Sequence, residues 1–192
     1  MAKWLVVGLG NPEGKYFKTY HNVGFVAAEA AAASLGTGFK KKGNQMLAKA
    51  GSVFILKPLT YMNLSGQAVT AVCRKHKIAP ENVIVLFDDL YIEKGNIRVS
   101  FGGSGGGHNG IRSISDLLGT NKYIQIRIGI KPEKEPHCNA HYVLSKIDDA
   151  SRQNIDQAIV KAVEAAIALV NGEGIEKLQG RYNTKNVQNP PQ

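Results

Sequence analysis

Cysteine is scarce in this sequence, and long hydrophobic runs do not occur. Only Cys73 and Cys138 are present in 192 residues, which excludes a disulfide framework and predicts a reducing compartment. Cys73 falls in a helical pattern, where we expect a small core residue. No apolar run approaches the roughly 20 residues that cross a bilayer, and the first residues lead into a strand-like segment without a signal-peptide pattern. We therefore expect a cytoplasmic protein with no membrane partner.

Acidic residues are also few. Asp and Glu number 15 against 24 Lys and Arg, which gives a net charge of +9. Such a surplus favours an anionic partner, for which RNA, DNA and an anionic membrane are the candidates. A charge that serves only solubility is the alternative. The length and the 43% hydrophobic content predict one globular domain over residues 1–185, and the proline-containing end, 186–192, predicts a disordered tail.

Apolar segments of two periodicities alternate along the chain. Trp4–Gly8 and Val83–Phe87 are typical of buried strands. A helix is predicted over 22–35, with Asn22 as its cap, and a long helix from about Asp148 to Asn171. The inward face of the first helix is predicted to contain Val23, Val26, Ala30 and Ala33. This order indicates an α/β fold: a single-domain three-layer sandwich in which helices flank a mixed, mostly parallel central sheet.

Polar loops follow or join several of the predicted strands. In open α/β sheets, ligands gather at the carboxyl ends of the strands. Gly8–Asn11, Asp88 and Gly102–Asn109 all occupy such loops, so we expect the three segments to meet. Asn109 is also the predicted cap of a helix that extends through Leu118.

Two glycine patterns are incomplete versions of nucleotide-binding motifs. Gly8-Leu9-Gly10 after a strand suggests a dinucleotide fingerprint, but Glu13 stands where that fingerprint needs glycine. The loop Gly102–Gly107 lacks the Lys-Ser/Thr ending of a P-loop. Both patterns are weak indications of nucleotide binding.

Two other patterns leave alternative chemistries open. Ser104 lies in a G-x-S-x-G run, although three more glycines follow where a nucleophile elbow requires a helix. His137 and His141 have the i, i+4 spacing of metal ligands, but they lack the glutamate of a zincin and follow Pro136 in a polar stretch. A serine hydrolase and a metal site are therefore minor alternatives, and we expect no metal and no cofactor.

Asparagines occupy bent loops in several separate segments. Asn11 follows the first strand, Asn63 follows a Lys-Pro segment, and Asn109 follows the glycine loop. An amide both donates and accepts hydrogen bonds, so this placement indicates directional binding of a ligand. His21, just before the first helix, is predicted to point into the same crevice as Asn11. A capping or surface role is the alternative for a single histidine at a helix start.

These segments together resemble a known family. They are Gly8-Leu-Gly-Asn-Pro12 with Tyr16 and His21-Asn-Val-Gly24, then Lys57-Pro58 and Tyr61-Met-Asn63-Leu-Ser65-Gly66, then Asp88-Asp-Leu90, Gly106-Gly-His-Asn-Gly110 and Arg127-Ile-Gly-Ile130. In order and spacing they resemble the signatures of the bacterial peptidyl-tRNA hydrolases, from residue 4 to about residue 145. Five ordered motifs are specific, although each alone is weak.

The resemblance implies hydrolysis of the ester between a peptide and the terminal ribose of tRNA. It implies that His21 is the general base, because a neutral imidazole can accept a proton near pH 7, and that Asp88 orients it. It further implies that Asn11 helps to distinguish N-blocked peptidyl-tRNA from free aminoacyl-tRNA. The residues implied to bind the substrate or the tRNA end are Tyr16, Tyr61, Met62, Asn63, His108 and Asn109. The implied partner is peptidyl-tRNA, bound by a monomer.

The chain departs from the family pattern at several positions that bear on tRNA affinity. Tyr20 precedes His21, at a position where the family often has arginine. Tyr91 follows Asp88-Asp-Leu90, where the family usually has aspartate, and Ser100 stands at a position that is often basic. A non-catalytic RNA-binding relative is the second hypothesis. The candidate basic residues for the tRNA body, among which the sequence does not choose, are Lys40–Lys42, Arg98, Lys131, Lys134 and Arg181.

Overall fold

A mixed β-sheet forms the centre of the molecule. The computed structural model describes residues 2–183. Within them, seven strands are arranged in the order β2-β3-β4-β1-β5-β7-β6. The four central strands, β4, β1, β5 and β7, are parallel, whereas β3 and β6 run antiparallel to their neighbours. The strands are β1 Trp4–Gly8, β2 Lys40–Lys41, β3 Gln45–Ala50, β4 Val53–Pro58, β5 Val83–Asp89, β6 Ile97–Phe101 and β7 Ile124–Gly129.

Helices cover both faces of this sheet, so the predicted three-layer sandwich is confirmed. One face carries α1, α5 and α6, and the other carries α2 and α3. The described helices are α1 Val23–Ser34, α2 Ser65–His76, α3 Asn109–Leu118, α4 Asn139–Val143, α5 Asp149–Val170 and α6 Ile175–Tyr182. None of the helices within residues 2–183 is both long enough and apolar enough to span a membrane.

Strand β5 is the most enclosed element of the sheet. All seven of its residues are buried, because β1 and β7 flank it and helices lie above and below it. Its apolar side chains alternate between the two cores: Ile84 and Leu86 face α1 and α5, and Val85 and Phe87 face α2 and α3. The two carboxylates at its end, Asp88 and Asp89, continue this alternation into the loop.

The predicted inward face of the first helix is correct at Val23, which is buried, and at Ala30, which packs against the core, but it is wrong at the other two positions. Val26 is 39% exposed and Ala33 is exposed, while the buried stripe includes Ala27, Ala28 and Ala31. Gly24 explains the difference, since a Cβ there would lie 2.4 Å from the carbonyl oxygen of Leu86. The helix therefore meets the sheet along the glycine and alanine side, where the two backbones approach most closely.

Other predictions have mixed outcomes. The long helix is confirmed as α5, and the Asp148 side chain caps it by accepting a hydrogen bond from Ser151 N. Cys73 is buried, as predicted. Asn22 precedes α1 but does not cap it. The predicted tail, 186–192, lies outside the described residues.

Candidate active site

A crevice opens at the carboxyl ends of β1 and β5. Its cavity of about 570 Å³ falls within the range of small-molecule sites. The loop after β1, the end of β5 and the glycine loop before α3 all line it, which confirms that these three segments meet. The predicted site residues that line it are Asn11, His21, Tyr61, Met62, Asn63, Asp88, His108 and Asn109.

Asp88 lies at the centre of this site between two imidazoles. Its Oδ1 is 2.9 Å from Nδ1 of His21 and 3.0 Å from Nε2 of His108. The second carboxylate oxygen is 3.0 Å from the same nitrogen of His21. The exposed fractions of the side chains are 12% for His21, 3% for Asp88 and 6% for His108. A carboxylate this deeply buried requires such donors.

The backbone of α3 determines which nitrogen of His108 carries the proton. Gly110 N–H donates to Nδ1 of His108 at 3.1 Å, so that nitrogen is the acceptor. In the neutral ring the proton therefore resides on Nε2, which donates to Asp88. His108, and not Asn109 as predicted, is consequently the side chain that caps α3.

The same reasoning fixes the orientation of His21. Its Nδ1 faces both oxygens of Asp88, and a carboxylate only accepts, so Nδ1 carries the proton. The unprotonated Nε2 is then available to the crevice that His21 lines. A base with one nitrogen held by a carboxylate and the other free is the arrangement needed to remove a proton from water.

The charges of the site are mutually stabilised. Burial by itself raises the pKa of Asp88, but the neighbouring imidazoles of His21 and His108 more than offset this and hold it below the usual range. Burial lowers the pKa of His21, whereas the Asp88 carboxylate raises it, and the net shift is upward. Asp88 therefore stays ionised, and its charge favours the protonated form of the His21 imidazole.

Asn11 is held so that its amide group faces the crevice in one orientation. Its Oδ1 accepts from the backbone N–H of Met62 at 2.9 Å, which identifies the oxygen, because a backbone N–H only donates. Asn22 bonds to the backbone N–H and carbonyl of Asn11, each at 2.9 Å. No partner for Nδ2 of Asn11 occurs among residues 2–183, so this donor is available to a ligand.

A second asparagine is oriented in the same way. Oδ1 of Asn109 accepts from the guanidinium of Arg112 at 2.9 Å, so its Nδ2 is also available to the crevice. Asn63 lies on the exposed rim, and no protein partner within the described chain holds its amide. Asn11 is thus a buried donor held in one orientation, Asn109 is an exposed donor held by Arg112, and Asn63 is exposed at the rim.

The two predicted tyrosines occupy different places. Tyr61 lines the crevice, is 54% exposed and donates to Glu13 from the loop after β1. Tyr16 lies in the 3-10 turn Gly14–Tyr16, half-buried beneath Lys15, and is not part of the crevice wall.

The Asp89 side chain points away from His21 and Asp88, because successive side chains of a strand point to opposite faces of the sheet. Its Oδ2 is 3.3 Å from Arg127 on the neighbouring strand β7, and its Oδ1 accepts from Tyr91 N at 2.8 Å. Arg127 belongs to the motif Arg127-Ile-Gly-Ile130. Its partner is the Asp89 carboxylate, which also binds the backbone of Tyr91 at the rim of the crevice.

His21, Asp88 and His108 have ligand-type atoms within 4.8 Å of one another, the composition of a possible metal site. The position of the His108 proton favours a hydrogen-bond network over a metal site. Because Gly110 N–H donates to Nδ1 of His108, the proton of His108 is on Nε2 and is directed at Asp88. A metal ligand must present a lone pair. The contacts of Asp88 with the two histidines are therefore hydrogen bonds. His137 and His141 are both exposed, and neither is part of this cluster.

The other sequence patterns have structural explanations. Ser104 is exposed and lies outside the crevice wall. The hydrogen-bonded nitrogens of His21 and His108 face Asp88 and Gly110, so these bonds do not involve Ser104. Gly10 lies against Phe25, whose ring a Cβ would meet at 2.6 Å, so this glycine serves helix packing.

Sequence reasoning missed part of the crevice wall. Tyr91, Arg112 and the short helix α4, with Val143 and Leu144, also line it. Arg112 stands three residues after Asn109, a spacing that brings side chains together on a helix, so this contact had a signal. Helix α4 follows a loop rich in charge and proline, and its five residues are too short to be found by periodicity.

Comparison with known proteins identifies the family. The sequence model described as peptidyl-tRNA hydrolase matches residues 5–190. The peptidyl-tRNA hydrolase of Elusimicrobium minutum is 40% identical over 184 residues, which cover 93% of this chain and 98% of that protein. That of Thermodesulfovibrio yellowstonii is 41% identical over 186 residues, with coverages of 93% and 98%. The crystal structure of peptidyl-tRNA hydrolase from Acinetobacter baumannii superposes with a TM-score of 0.87 at 32% identity and covers 95% of each chain. A match of this length and identity shows that the chain belongs to the peptidyl-tRNA hydrolase family.

Proposed function

We propose that this chain hydrolyses the ester bond between a peptide and the 3′-terminal ribose of tRNA, with His21 as general base and Asp88 as the group that orients it. The observation that carries the proposal is the 2.9 Å contact between Nδ1 of His21 and Asp88. It leaves Nε2 of His21 as the free base in a crevice. Relatives over nearly the whole chain are named peptidyl-tRNA hydrolase, which supports this substrate.

The reaction needs only water and the residues of the crevice. Nε2 of His21 removes a proton from water as the water oxygen bonds to the ester carbonyl carbon. The carbonyl oxygen becomes an oxyanion, and the His21 imidazolium is stabilised by Asp88. When the tetrahedral intermediate collapses, the bond from the carbonyl carbon to the ribose oxygen breaks. His21 returns the proton to that oxygen, which yields the tRNA hydroxyl and the peptide carboxylic acid, and the acid then loses its proton to solvent.

The oriented asparagines supply the hydrogen-bond donors. Nδ2 of Asn11 and Nδ2 of Asn109 are free to donate because Met62 N–H and Arg112 already occupy the oxygens of these amides. A fixed donor near a developing oxyanion is worth roughly 10²- to 10³-fold in rate. An amide donor also prefers the carbonyl of a blocked, peptide-type substrate over a free ammonium group, which is itself only a donor. Asn11 is therefore the candidate for selection of N-blocked substrates.

The remaining predicted contacts are assigned to the acylated end of the tRNA. Met62, Asn63 and Tyr61 form one wall of the crevice, where an adenine or the first peptide residues can lie. The role of Tyr16 as a contact of the tRNA end stays a prediction. We further propose that the chain acts as a monomer and that it acts in the cytoplasm; the two free cysteines support a reducing compartment.

The test compares N-acetyl-aminoacyl-tRNA with unblocked aminoacyl-tRNA. We expect the wild-type protein to release only the blocked amino acid and the His21→Ala variant to release neither. His137→Ala, which removes an exposed histidine, is the matched control and should retain activity. Release in the His21→Ala variant at the wild-type rate would overturn the assignment of the base. If tRNA is bound but never hydrolysed, the non-catalytic RNA-binding alternative replaces this proposal.

A further inference from the structure

Ion pairs distinguish among the basic residues that are available to RNA. Lys131 is paired with Glu93 at 2.5 Å, and Arg181 with Glu173 at 2.7 Å. Both were candidates from the sequence, and both charges are already partly compensated. The positive residues that have no acidic partner are therefore of most interest.

Four lysines from distant parts of the chain converge around the end of α2. We call this group the lysine cluster, and it surrounds His76. It lies at the amino end of β1, on the side of the sheet that carries α2. Its members are Lys3, Lys42, Lys49 and Lys75.

Direct contacts define the arrangement. Nζ of Lys3 donates to the carbonyl oxygen of His76 at 3.1 Å. The centroids of the His76 and Phe54 rings are 4.2 Å apart, with the ring planes tilted by 32°, and Nζ of Lys49 lies 5.6 Å from the centroid of the Phe54 ring. The cluster is therefore built on a fixed aromatic pair, and its charges are not scattered.

No carboxylate of residues 2–183 forms an ion pair with any member of the lysine cluster. Contact with Lys42 lowers the pKa of Lys75. Burial and then the four lysines lower the pKa of His76. The part of each pKa shift that comes from neighbouring lysines is repulsion among like charges. The exposed residues that flank the cluster add four more cations: Lys40, Lys41, Arg74 and Lys77.

The dipole of α2 accounts for only part of this concentration of charge. Basic residues at a helix C-terminus are stabilised by the last carbonyl groups, which covers Lys75 and its neighbours on α2. Lys3 precedes β1, whereas Lys42 and Lys49 belong to the β2–β3 region. Their convergence on the same helix end needs a further reason, and an anionic partner supplies one.

The surface chemistry favours a polyphosphate over a membrane. Basic membrane-binding surfaces carry large apolar side chains that insert between lipids. None of the large apolar side chains that are exposed within residues 2–183 is adjacent in the chain to a member of the lysine cluster, and Phe54, which the cluster contacts, is buried. Closely spaced lysines without an adjacent exposed apolar side chain suit the repeated charges of a nucleic-acid backbone.

The position of α2 connects the cluster to the crevice. The turn Met62–Leu64, which contributes to the crevice wall, leads directly into α2. The 12 residues of α2 span about 18 Å at 1.5 Å per residue. A polynucleotide whose acylated end occupies the crevice can therefore reach the cluster within a few nucleotides. Because it is covalently continuous, its effective concentration at the cluster is high.

We propose that the lysine cluster binds the phosphate backbone of the same tRNA whose acylated 3′ end is hydrolysed in the crevice. The inference rests on the proposed function, since it assigns the body of that substrate. It predicts a salt-dependent contribution to substrate binding and none to the chemical step. Phosphate contacts of this kind are independent of base sequence.

The test uses two substrates with the same reacting ester. One is full-length N-acetyl-aminoacyl-tRNA, and the other is its 3′-terminal dinucleotide fragment carrying the same blocked ester. We expect Lys42→Glu/Lys49→Glu/Lys75→Glu to raise the KM for the full-length substrate roughly tenfold or more at low salt, with kcat unchanged. The slope of log KM against log salt should fall by about two to three, one for each lost contact. Hydrolysis of the fragment should match that of the wild type.

Control variants keep the test decisive. Lys18→Glu/Lys122→Glu/Lys177→Glu makes the same change in net charge at exposed lysines that belong neither to the lysine cluster nor to the candidate tRNA contacts, and it should change the KM far less. If the charge-reversed variant does not fold, the corresponding lysine-to-glutamine variant should show the same trend with a smaller effect.

Each other outcome has a definite meaning. An unchanged KM for full-length substrate, or an equal loss on both substrates, would overturn the inference. So would loss of binding to phosphatidylserine vesicles with an unchanged KM, because the cluster would then be a membrane surface. If the wild type hydrolyses neither substrate, the proposed function fails. Filter binding of deacylated tRNA then tests whether the lysine cluster binds tRNA. Equal affinities of the wild type and the charge-reversed variant would overturn the inference.

Discussion

The side chain of Asn22 holds Asn11 by both of its backbone groups: Oδ1 accepts from Asn11 N–H, and Nδ2 donates to the Asn11 carbonyl, each at 2.9 Å. Both residues are buried, with exposed fractions of 6% and 7%. The pair ties the loop after β1 to the start of α1, where His21 lies. The free amide of Asn11 and the proposed base, His21, are consequently positioned by one local network.

Asn22→Ala is expected to weaken both stability and catalysis. The substitution leaves a buried N–H and a buried carbonyl of Asn11 without partners, which costs about 2–3 kcal/mol in the free energy of unfolding. The freed loop should also lower kcat/KM for blocked substrate by at least about tenfold, because Asn11 loses its orientation. Urea unfolding and steady-state kinetics measure the two effects. Asn121→Ala, at an exposed asparagine, is the control. Wild-type kinetics in a destabilised Asn22→Ala protein would contradict the positioning role.

Asp88→Asn should reduce the rate and shift its pH dependence. An amide no longer fixes the proton on Nδ1 of His21 or stabilises the imidazolium, so kcat should fall roughly 10³- to 10⁴-fold. His21 must be neutral to act, so activity falls as the pH drops through its pKa. Because Asp88 raises that pKa, its removal should move the acidic limb of kcat/KM to lower pH. A pH–rate profile checks the direction. A lower rate with an unmoved limb would show that Asp88 does not act on the base.

His108 has two structural roles that a pair of variants can separate. His108→Ala removes a donor to the Asp88 carboxylate, worth about 1.5–3 kcal/mol or roughly 10- to 100-fold in rate. It also removes the cap of α3, worth about 1 kcal/mol in stability. His108→Asn retains a capping side chain but is too short to reach Asp88. We expect His108→Asn to unfold at a higher temperature than His108→Ala because it keeps the cap, with kcat still reduced. Recovery of kcat in His108→Asn would show that only the cap matters.

The parts of this molecule that follow local rules were predictable from the sequence. The apolar run of β5 and the amphipathic pattern of α5 have strong local signals, and both elements are present. The meeting of Asn11, Asp88 and the glycine loop followed from the position of these residues at strand ends. It needed only the general rule for α/β sheets.

Long-range pairings were beyond such rules. The local sequence at Asn22 indicates a helix cap, yet the amide of Asn22 is used across a turn by Asn11. His108 was identified as a substrate contact, but its bonds to Asp88 and Gly110 depend on how the glycine loop returns to the sheet. The convergence of Lys3 and Lys49 on one helix end likewise depends on strand order, which periodicity does not reveal.

Asp148 should contribute stability that is lost in acid. Bonds from Tyr20 and Ser151 stabilise its carboxylate and lower its pKa from 3.8 to about 2. Because the folded pKa is the lower one, the contribution is fully present above pH 4 and disappears as the pH falls towards 2. The side chain is exposed, so solvent screening limits the effect, and Asp148→Ala should cost about 1 kcal/mol at neutral pH. The deficit relative to wild type should shrink in urea unfolding at pH values near the folded pKa. Asp149→Ala, which removes the adjacent exposed carboxylate, should show a smaller deficit. A deficit for Asp148→Ala that is independent of pH would mean that the carboxylate charge plays no part.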